Sequence, residues 1–217
     1  MSRGAPEGPE AADADSADTD VSGRGRDAGD AAPESLLLHA CCAPCSVYTL
    51  KAIFARFPRT RVVLWFYNPN IHPAAEYRRR RDALAYLHAR RGDFLAGECA
   101  LALDVSEPYR PDGFLEVAAR SPRRPERCAA CYRLRLLAAA RKAREAGIEA
   151  FSSTLLYSRK QGHELIREAG ERAAAGIGPA FLYMDFREGW REGRELSQKL
   201  DVFRQNYCGC LYGEIDN

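Results

Sequence analysis

The period of the apolar positions changes repeatedly along the chain, and each change predicts an element. Residues 35–40 (SLLLHA) form a short apolar run that stops at the first cysteines, the pattern of a buried strand. Pro44 then opens a helical spacing through Val47, Leu50, Ile53, Phe54 and Phe57, with the proline where a first turn tolerates it. Residues 62–67 (VVLWFY) predict a second buried strand, ended by the turn signal Asn68-Pro69-Asn70, and a long helix follows from 74 to about 91. Beyond these, the pattern predicts strands at 101–105, 150–156 and 180–184, and helices at 114–119, 127–146, 162–175 and 193–203, with Gly147 ending the second of these helices. Strands alternating with helices at these lengths imply right-handed crossovers, hence an α/β fold with a mainly parallel sheet and helices on both faces. Ligands in such sheets collect beyond the carboxyl ends of the strands. Three features fall there: the cysteines after the first strand, the Asn-Pro turn after the second, and Tyr157-Ser158 after the fourth.

Composition fits this picture, with 46% hydrophobic and 29% charged residues in 217, enough to bury a sizeable core. The net charge of +2 is a sum over two unlike parts. Residues 1–34 carry nine acidic side chains against three arginines, −6, which leaves 29 basic and 21 acidic residues, +8, on the remainder. That first segment holds a single Val and no aromatic residue, too little apolar surface to offset the entropy of ordering it. It is expected to be a disordered acidic tail, with one α/β domain over 35–217. It resembles neither a secretory signal nor a transit peptide, and no stretch approaches about 18 uninterrupted apolar residues. The expected location is the cytoplasm, away from membranes.

Eight cysteines in such a chain point to metal binding or catalysis, since cellular thiols keep disulfide frameworks reduced. Cys41, Cys42 and Cys45 lie at a strand-to-helix turn, where free amides and the helix dipole favour thiolate. Cys128 and Cys131 open a helix, and the C-x-x-C step brings their sulfurs together. Two such sets make a four-sulfur site suited to tetrahedral zinc or to a [4Fe–4S] cluster, and spacing alone does not choose. Adjacent cysteines suit one compact zinc site poorly, and Cys45 is surplus to a quartet. The spacing also echoes a radical-SAM loop, but the longer barrel which that loop needs has no support here. Cys208-Gly209-Cys210 presents either a strained, labile redox pair or two free thiols, and Cys99 reads as a small hydrophobe.

Taken together, residues 37–46 (LLHACCAPCS), 66–73 (FYNPNIHP) with Glu76-Tyr77, Arg127-Cys128 with Cys131-Tyr132 and Arg135-Leu136, Asp185-Phe186-Arg187, and 204–210 (RQNYCGC) resemble the epoxyqueuosine reductases of the QueH family. The likeness runs over 36–212. It implies a HUP/PP-loop-like Rossmannoid fold and reduction of epoxyqueuosine to queuosine at the wobble position of tRNA, the last step of queuosine synthesis, without cobalamin. It further implies a [4Fe–4S] cluster on Cys41, Cys42, Cys128 and Cys131, a redox-active Cys208–Cys210 disulfide, an adjacent mononuclear metal ion such as iron, an external electron donor and tRNA as partner. The run 152–158 (SSTLLYS) and the lack of a Trp within 104–116 depart from the family pattern.

Cys45, as the surplus thiol, is the candidate ligand or neighbour of a second metal. His39, Tyr67, His72 and Asp185 are candidate proton donors or pocket residues, each balanced by a packing role. Tyr67, Asn68, Asn70, His72, Arg78, Arg135 and Arg187 are the candidate substrate and tRNA contacts. Within these, the run Arg78 to Arg81, with Arg123, Arg124, Arg133 and Arg135, offers cations to phosphates, or simply a solvated helix face. A PP-loop tRNA thiolase would need a Ser-Gly-Gly-x-Asp-Ser loop where this chain has His39-Ala40-Cys41-Cys42. A zinc-stabilised RNA-binding module would leave Cys208-Gly209-Cys210 without a role.

Overall fold

The structure is a computed structural model that describes residues 32–213. All but the last three positions of the expected acidic tail lie outside the described residues. Five strands, β1 (Ser35–His39), β2 (Arg61–Trp65), β3 (Leu101–Asp104), β4 (Ala150–Ser153) and β5 (Ala180–Phe181), form one sheet in the order β3-β2-β1-β4-β5. Every pairing is parallel, with Leu38 beside Leu64 on one side and Ser152 on the other. Six helices connect them: α1 (Ala43–Arg56), α2 (Ala74–Ala89), α3 (Asp112–Arg120), α4 (Glu126–Glu145), α5 (His163–Ile177) and α6 (Trp190–Lys199).

The centre of the sheet explains the unbroken apolar run of β1. Leu36, Leu37 and Leu38 are all fully buried because helices cover both faces, and only Ser35 at the start of the strand is partly exposed. α1 packs with α2 and α6, and α4 packs with α3 and α5. Right-handed crossovers from β1 to β2 to β3 run one way, and those from β3 to β4 to β5 run the other, so these two helix groups lie on opposite faces. The direction reverses between β1 and β4. Their outgoing loops diverge there and leave a crevice at the carboxyl edge.

Most elements shift by one or two residues at an end, and three differ from the expected bounds in ways that bear on the site. The strand expected over 150–156 ends at Ser153, and Thr154–Tyr157 form a 3-10 turn. The Ser153 hydroxyl caps that turn by accepting from the Leu155 amide at 3.1 Å, which diverts the apolar Leu155 and Leu156 out of the sheet. The last strand is two residues long, since only Ala180 and Phe181 reach β4. The final helix begins at Trp190 rather than 193 and ends at Lys199 rather than 203, where Leu200 caps it and Asp201 adopts φ 53°.

Candidate functional site

β1 delivers Cys41 to the crevice, and Cys42 caps α1, its sulfur accepting from the Cys45 amide at 3.4 Å. The sulfurs of Cys41, Cys42 and Cys45 all lie within 4.8 Å of one another, at 3.8 Å for Cys41 to Cys42 and 2.7 Å for Cys42 to Cys45. Across the crevice, Thr154 accepts from the Cys41 amide at 2.9 Å and donates its hydroxyl to the Cys41 sulfur at 3.1 Å. Hydrogen bonds from Cys42 and Cys45, with a further one from Thr154, hold the Cys41 thiol well below its ordinary range despite burial. Burial pushes Cys42 up, and the same sulfur contacts push Cys45 up. Of the three, Cys41 is thus the sulfur on which negative charge is most favoured.

Cys128 and Cys131 stand on the first two turns of α4 and, with Asn70, Cys208 and Cys210, line a small adjoining pocket. They fall outside the 4.8 Å trio, and Cys45, the expected surplus thiol, is the one inside it. Arg135, one turn beyond Cys131, lines both cavities and is 4% exposed. Its Nε donates to the Cys131 carbonyl at 3.4 Å and its Nη1 to Asn68 Oδ1 at 3.5 Å. Burial by itself would lower the Arg135 pKa, but the Cys131, Cys41 and Cys208 sulfurs around it raise it. It is a buried counter-cation for thiols of all three clusters. Asn68 is equally buried and donates to the Ala40 carbonyl at 2.8 Å, tying the turn after β2 to the end of β1. Asn70 Oδ1 is buried without a partner among the described residues, beside the small pocket.

His39 is fully buried at the end of β1, with Nε2 donating to the Tyr67 carbonyl at 2.9 Å and Nδ1 2.8 Å from the Ser153 hydroxyl. Burial, aided by the nearby Arg135 charge, lowers its pKa to about 4, so it is a neutral structural residue at ordinary pH.

The C-terminal thiols are strapped to α2. Cys208 is exposed, Cys210 is buried, and all eight cysteines are free thiols. A hydrogen bond from Cys210 lowers the Cys208 pKa to about 6 and raises that of Cys210. Gly209 between them adopts φ 96°, and a Cβ there would stand 2.8 Å from the Arg80 guanidinium. The Gly209 carbonyl accepts from the His72 amide at 2.8 Å, and the Tyr207 hydroxyl donates to the His72 carbonyl at 3.0 Å. Arg80, 2% exposed, donates to Glu76 at 2.7 Å and to the Tyr207 carbonyl at 3.3 Å. The run Arg78 to Arg81 reads in sequence either as phosphate contacts or as a solvated helix face, and buried Arg80 is neither; Glu76, four residues earlier on the same helix, is the available sign of an internal role.

The remaining candidates lie apart. Tyr67 stacks flat on Trp65 at 4.9 Å, His72 is exposed with Nδ1 3.0 Å from the Tyr109 hydroxyl, and Arg78 is exposed on α2. Asp185 and Arg187 form a forked ion pair, with His163 Nε2 3.9 Å from the carboxylate. None of these five lines either cavity. The larger cavity, about 400 Å³, has Cys41, Cys45 and Cys208 on its wall together with Tyr157, Trp190 and several cations.

A doubly covered parallel sheet with a cysteine trio and a basic cavity at its switch point defines an α/β protein whose site could hold a metal. Comparison with known proteins narrows the class. The model of the epoxyqueuosine reductase QueH family matches residues 36–216, and the chain belongs to that family. It is 35% identical to the epoxyqueuosine reductase QueH of Dehalococcoides mccartyi, over 83% of this chain and 93% of the relative. Identity to the proteins of the same name from Staphylococcus epidermidis and Thermotoga maritima is 33% and 32%, over 83% and 84% of this chain and 76% and 91% of theirs. Among the described residues, no helix is long and apolar enough to cross a membrane.

Proposed function

We propose that this chain is a tRNA-modifying oxidoreductase that reduces epoxyqueuosine to queuosine without cobalamin. The observation that carries the reading is that three sets of thiols, Cys41/Cys42/Cys45, Cys128/Cys131 and Cys208/Cys210, meet at two adjoining cavities that share the buried Arg135 and Cys208, with Cys41, Cys131 and Cys208 acting on that guanidinium. An all-sulfur donor set with its own counter-cation fits an iron–sulfur cluster better than a hard cation. Cys41, Cys42, Cys128 and Cys131 would hold a [4Fe–4S] cluster, and Cys45 an adjacent mononuclear iron. Such a centre supplies electrons singly and offers a positive charge to oxygen.

The residues of the chain account for the rest of the balance. Removing the epoxide oxygen breaks both of its C–O bonds, forms a C=C bond and releases water, consuming two electrons and two protons. Oxidation of the Cys208 and Cys210 thiols to a disulfide releases two electrons and two protons, so one dithiol matches one turnover. An external donor, a low-potential electron carrier or a dithiol, then resets the pair. Cys41 faces the cavity half-buried, and the Arg135 charge compensates negative charge on its sulfur. The partner is tRNA in the cytoplasm, presenting the modified nucleotide from a single-stranded loop.

Anaerobically reconstituted protein, a reductant and tRNA bearing epoxyqueuosine test the reading, with the nucleosides analysed by mass. Loss of one oxygen from the modified nucleoside is expected; an unchanged nucleoside with fully loaded protein refutes it. Cys45→Ala is expected to lower the iron content per chain, and full iron with full activity in that variant refutes its assignment.

A further inference from the structure

We propose that Trp190, Arg159 and Arg194 form a phosphate-binding fork at the mouth of the larger cavity, suited to the phosphodiesters that flank an unstacked nucleotide of a single-stranded RNA loop. The Arg159 guanidinium carbon lies 5.1 Å from the Trp190 ring centroid and that of Arg194 lies 5.5 Å from it. One indole thus holds two guanidinium groups by ring polarisation, leaving their N–H edges for acceptors. All three residues line the cavity whose wall carries Cys41 and Cys45.

The distribution of unpaired charge separates this fork from the other arginines. On α2, Arg79 and Arg80 face Glu76, and Arg81 faces Asp82. Arg159 and Arg194 have no ion pair among the described residues, and neither do Lys160 and Arg204, which line the same cavity. The acidic neighbours of Trp190 point elsewhere: Glu192 pairs with Lys51 and Glu188 meets the Tyr48 hydroxyl, both on α1. Four cations around one cavity, left without carboxylates, are an anion site.

The platform beneath them is rigid. The Tyr157 hydroxyl donates to the Trp190 carbonyl at 2.9 Å. A Cβ on Gly193 would lie 2.5 Å from that hydroxyl and 2.9 Å from Tyr48 Cβ, so only glycine lets α6 approach this closely. The fork therefore stands in a fixed relation to the thiols below, as a group that positions a substrate needs to. A polyanionic loop would be gripped at its backbone while one nucleotide enters the cavity. Phosphate contacts of this kind fix register and carry no base identity.

The inference rests on tRNA as the substrate, and the experiment separates the two. Binding of whole tRNA to the intact, reconstituted protein is measured against salt for the unaltered chain, for the double variant Arg159→Gln/Arg194→Gln and for a charge-matched control, Arg59→Gln/Arg61→Gln, at the opposite edge of the sheet. Loss of two phosphate contacts, at roughly 0.7 each for a single strand, should flatten the slope of log Kd on log salt by about 1.4. The fork variant should also weaken binding by about tenfold at low salt and raise KM with kcat retained, while the control matches the unaltered chain. An unchanged slope in the fork variant, or an equal loss in the control, overturns the fork and leaves the reductase reading intact. If Trp190→Leu weakens binding while the double arginine variant does not, base stacking replaces phosphate contact and the proposal falls. An unaltered chain that binds no tRNA overturns the functional reading and the fork with it.

Discussion

His39 provides a quantitative test of how the crevice is built. In the folded chain it is fully buried, and its neutral Nε2–H tautomer is set by the Tyr67 carbonyl, which only accepts. Its pKa is about 4 against an ordinary 6.5, with burial as the main cause and the Arg135 charge second. The folded state therefore binds fewer protons at this ring than the unfolded state, and stability falls as pH drops from 6.5 towards 4. At 1.36 kcal/mol per pH unit, the full interval is worth about 3 kcal/mol, and roughly 2 kcal/mol is lost by about pH 5. Urea unfolding of the unaltered chain and of His39→Gln at about pH 7 and pH 5 isolates this term, because the glutamine keeps a donor and an acceptor but does not titrate. The pH-dependent loss should be about 2 kcal/mol smaller in the variant. Proton NMR of the four histidines gives a second readout, with the His39 ring still neutral at pH 5. A His39 midpoint near 6.5, or equal pH dependence in the two chains, refutes the account.

Three further outcomes follow from the same geometry. Thr154→Val removes both the acceptor for the Cys41 amide and the donor to its sulfur, so stability should fall by about 1–3 kcal/mol and iron per chain should drop after anaerobic reconstitution, which melting and metal analysis would check. Gly193→Ala drives a Cβ into the Tyr157 hydroxyl and should cost about 1–3 kcal/mol, seen as a lowered Tm, whereas an unchanged Tm would mean that α6 slides freely on the 3-10 turn. Cys208, exposed and with its pKa at about 6, should be the cysteine alkylated fastest at neutral pH in the metal-free chain; Cys210→Ala removes its hydrogen bond and should shift the pH–rate midpoint upward, as mass mapping of iodoacetamide adducts would detect.

Much of this architecture is legible without coordinates, for reasons that particular residues make plain. The Leu36-Leu37-Leu38 run, too short for a buried helix and followed by Pro44, reads as a doubly covered strand, and a cysteine set directly after it then falls at the carboxyl edge. The site's internal wiring was harder to read. Leu155 and Leu156 look like strand residues, and only the hydroxyl of Ser153 turns them into a 3-10 segment. Arg80 and Arg135 sit in arginine-rich helices, and nothing in the local sequence distinguishes a buried guanidinium from a solvated one except its partner, which for Arg135 is Asn68, brought close only by the fold. Trp190 lies just before the expected start of the last helix, and its significance comes from Arg159, remote in sequence. Asp185 and Arg187 satisfy one another at the surface, a pairing that a motif does not reveal.

The division of the thiols among distant segments also bears on how the protein is made. β1, at the centre of the sheet, carries Cys41, but Thr154, which holds it, and Arg135, which balances it, belong to later stretches of chain, and Cys208 is later still. A ribosome adding roughly 5–20 residues per second needs about 8–33 s to travel from the first of these thiols to the last. Until Arg135 and Thr154 have been made, the Cys41-Cys42-Cys45 trio exists without the groups that compensate and anchor it, open to oxidation and to any thiophilic metal. Any centre that joins the trio to Cys128 and Cys131 therefore waits for α4 to be made, and the shorter nascent chain is the stage at which oxygen or a competing metal meets the bare trio.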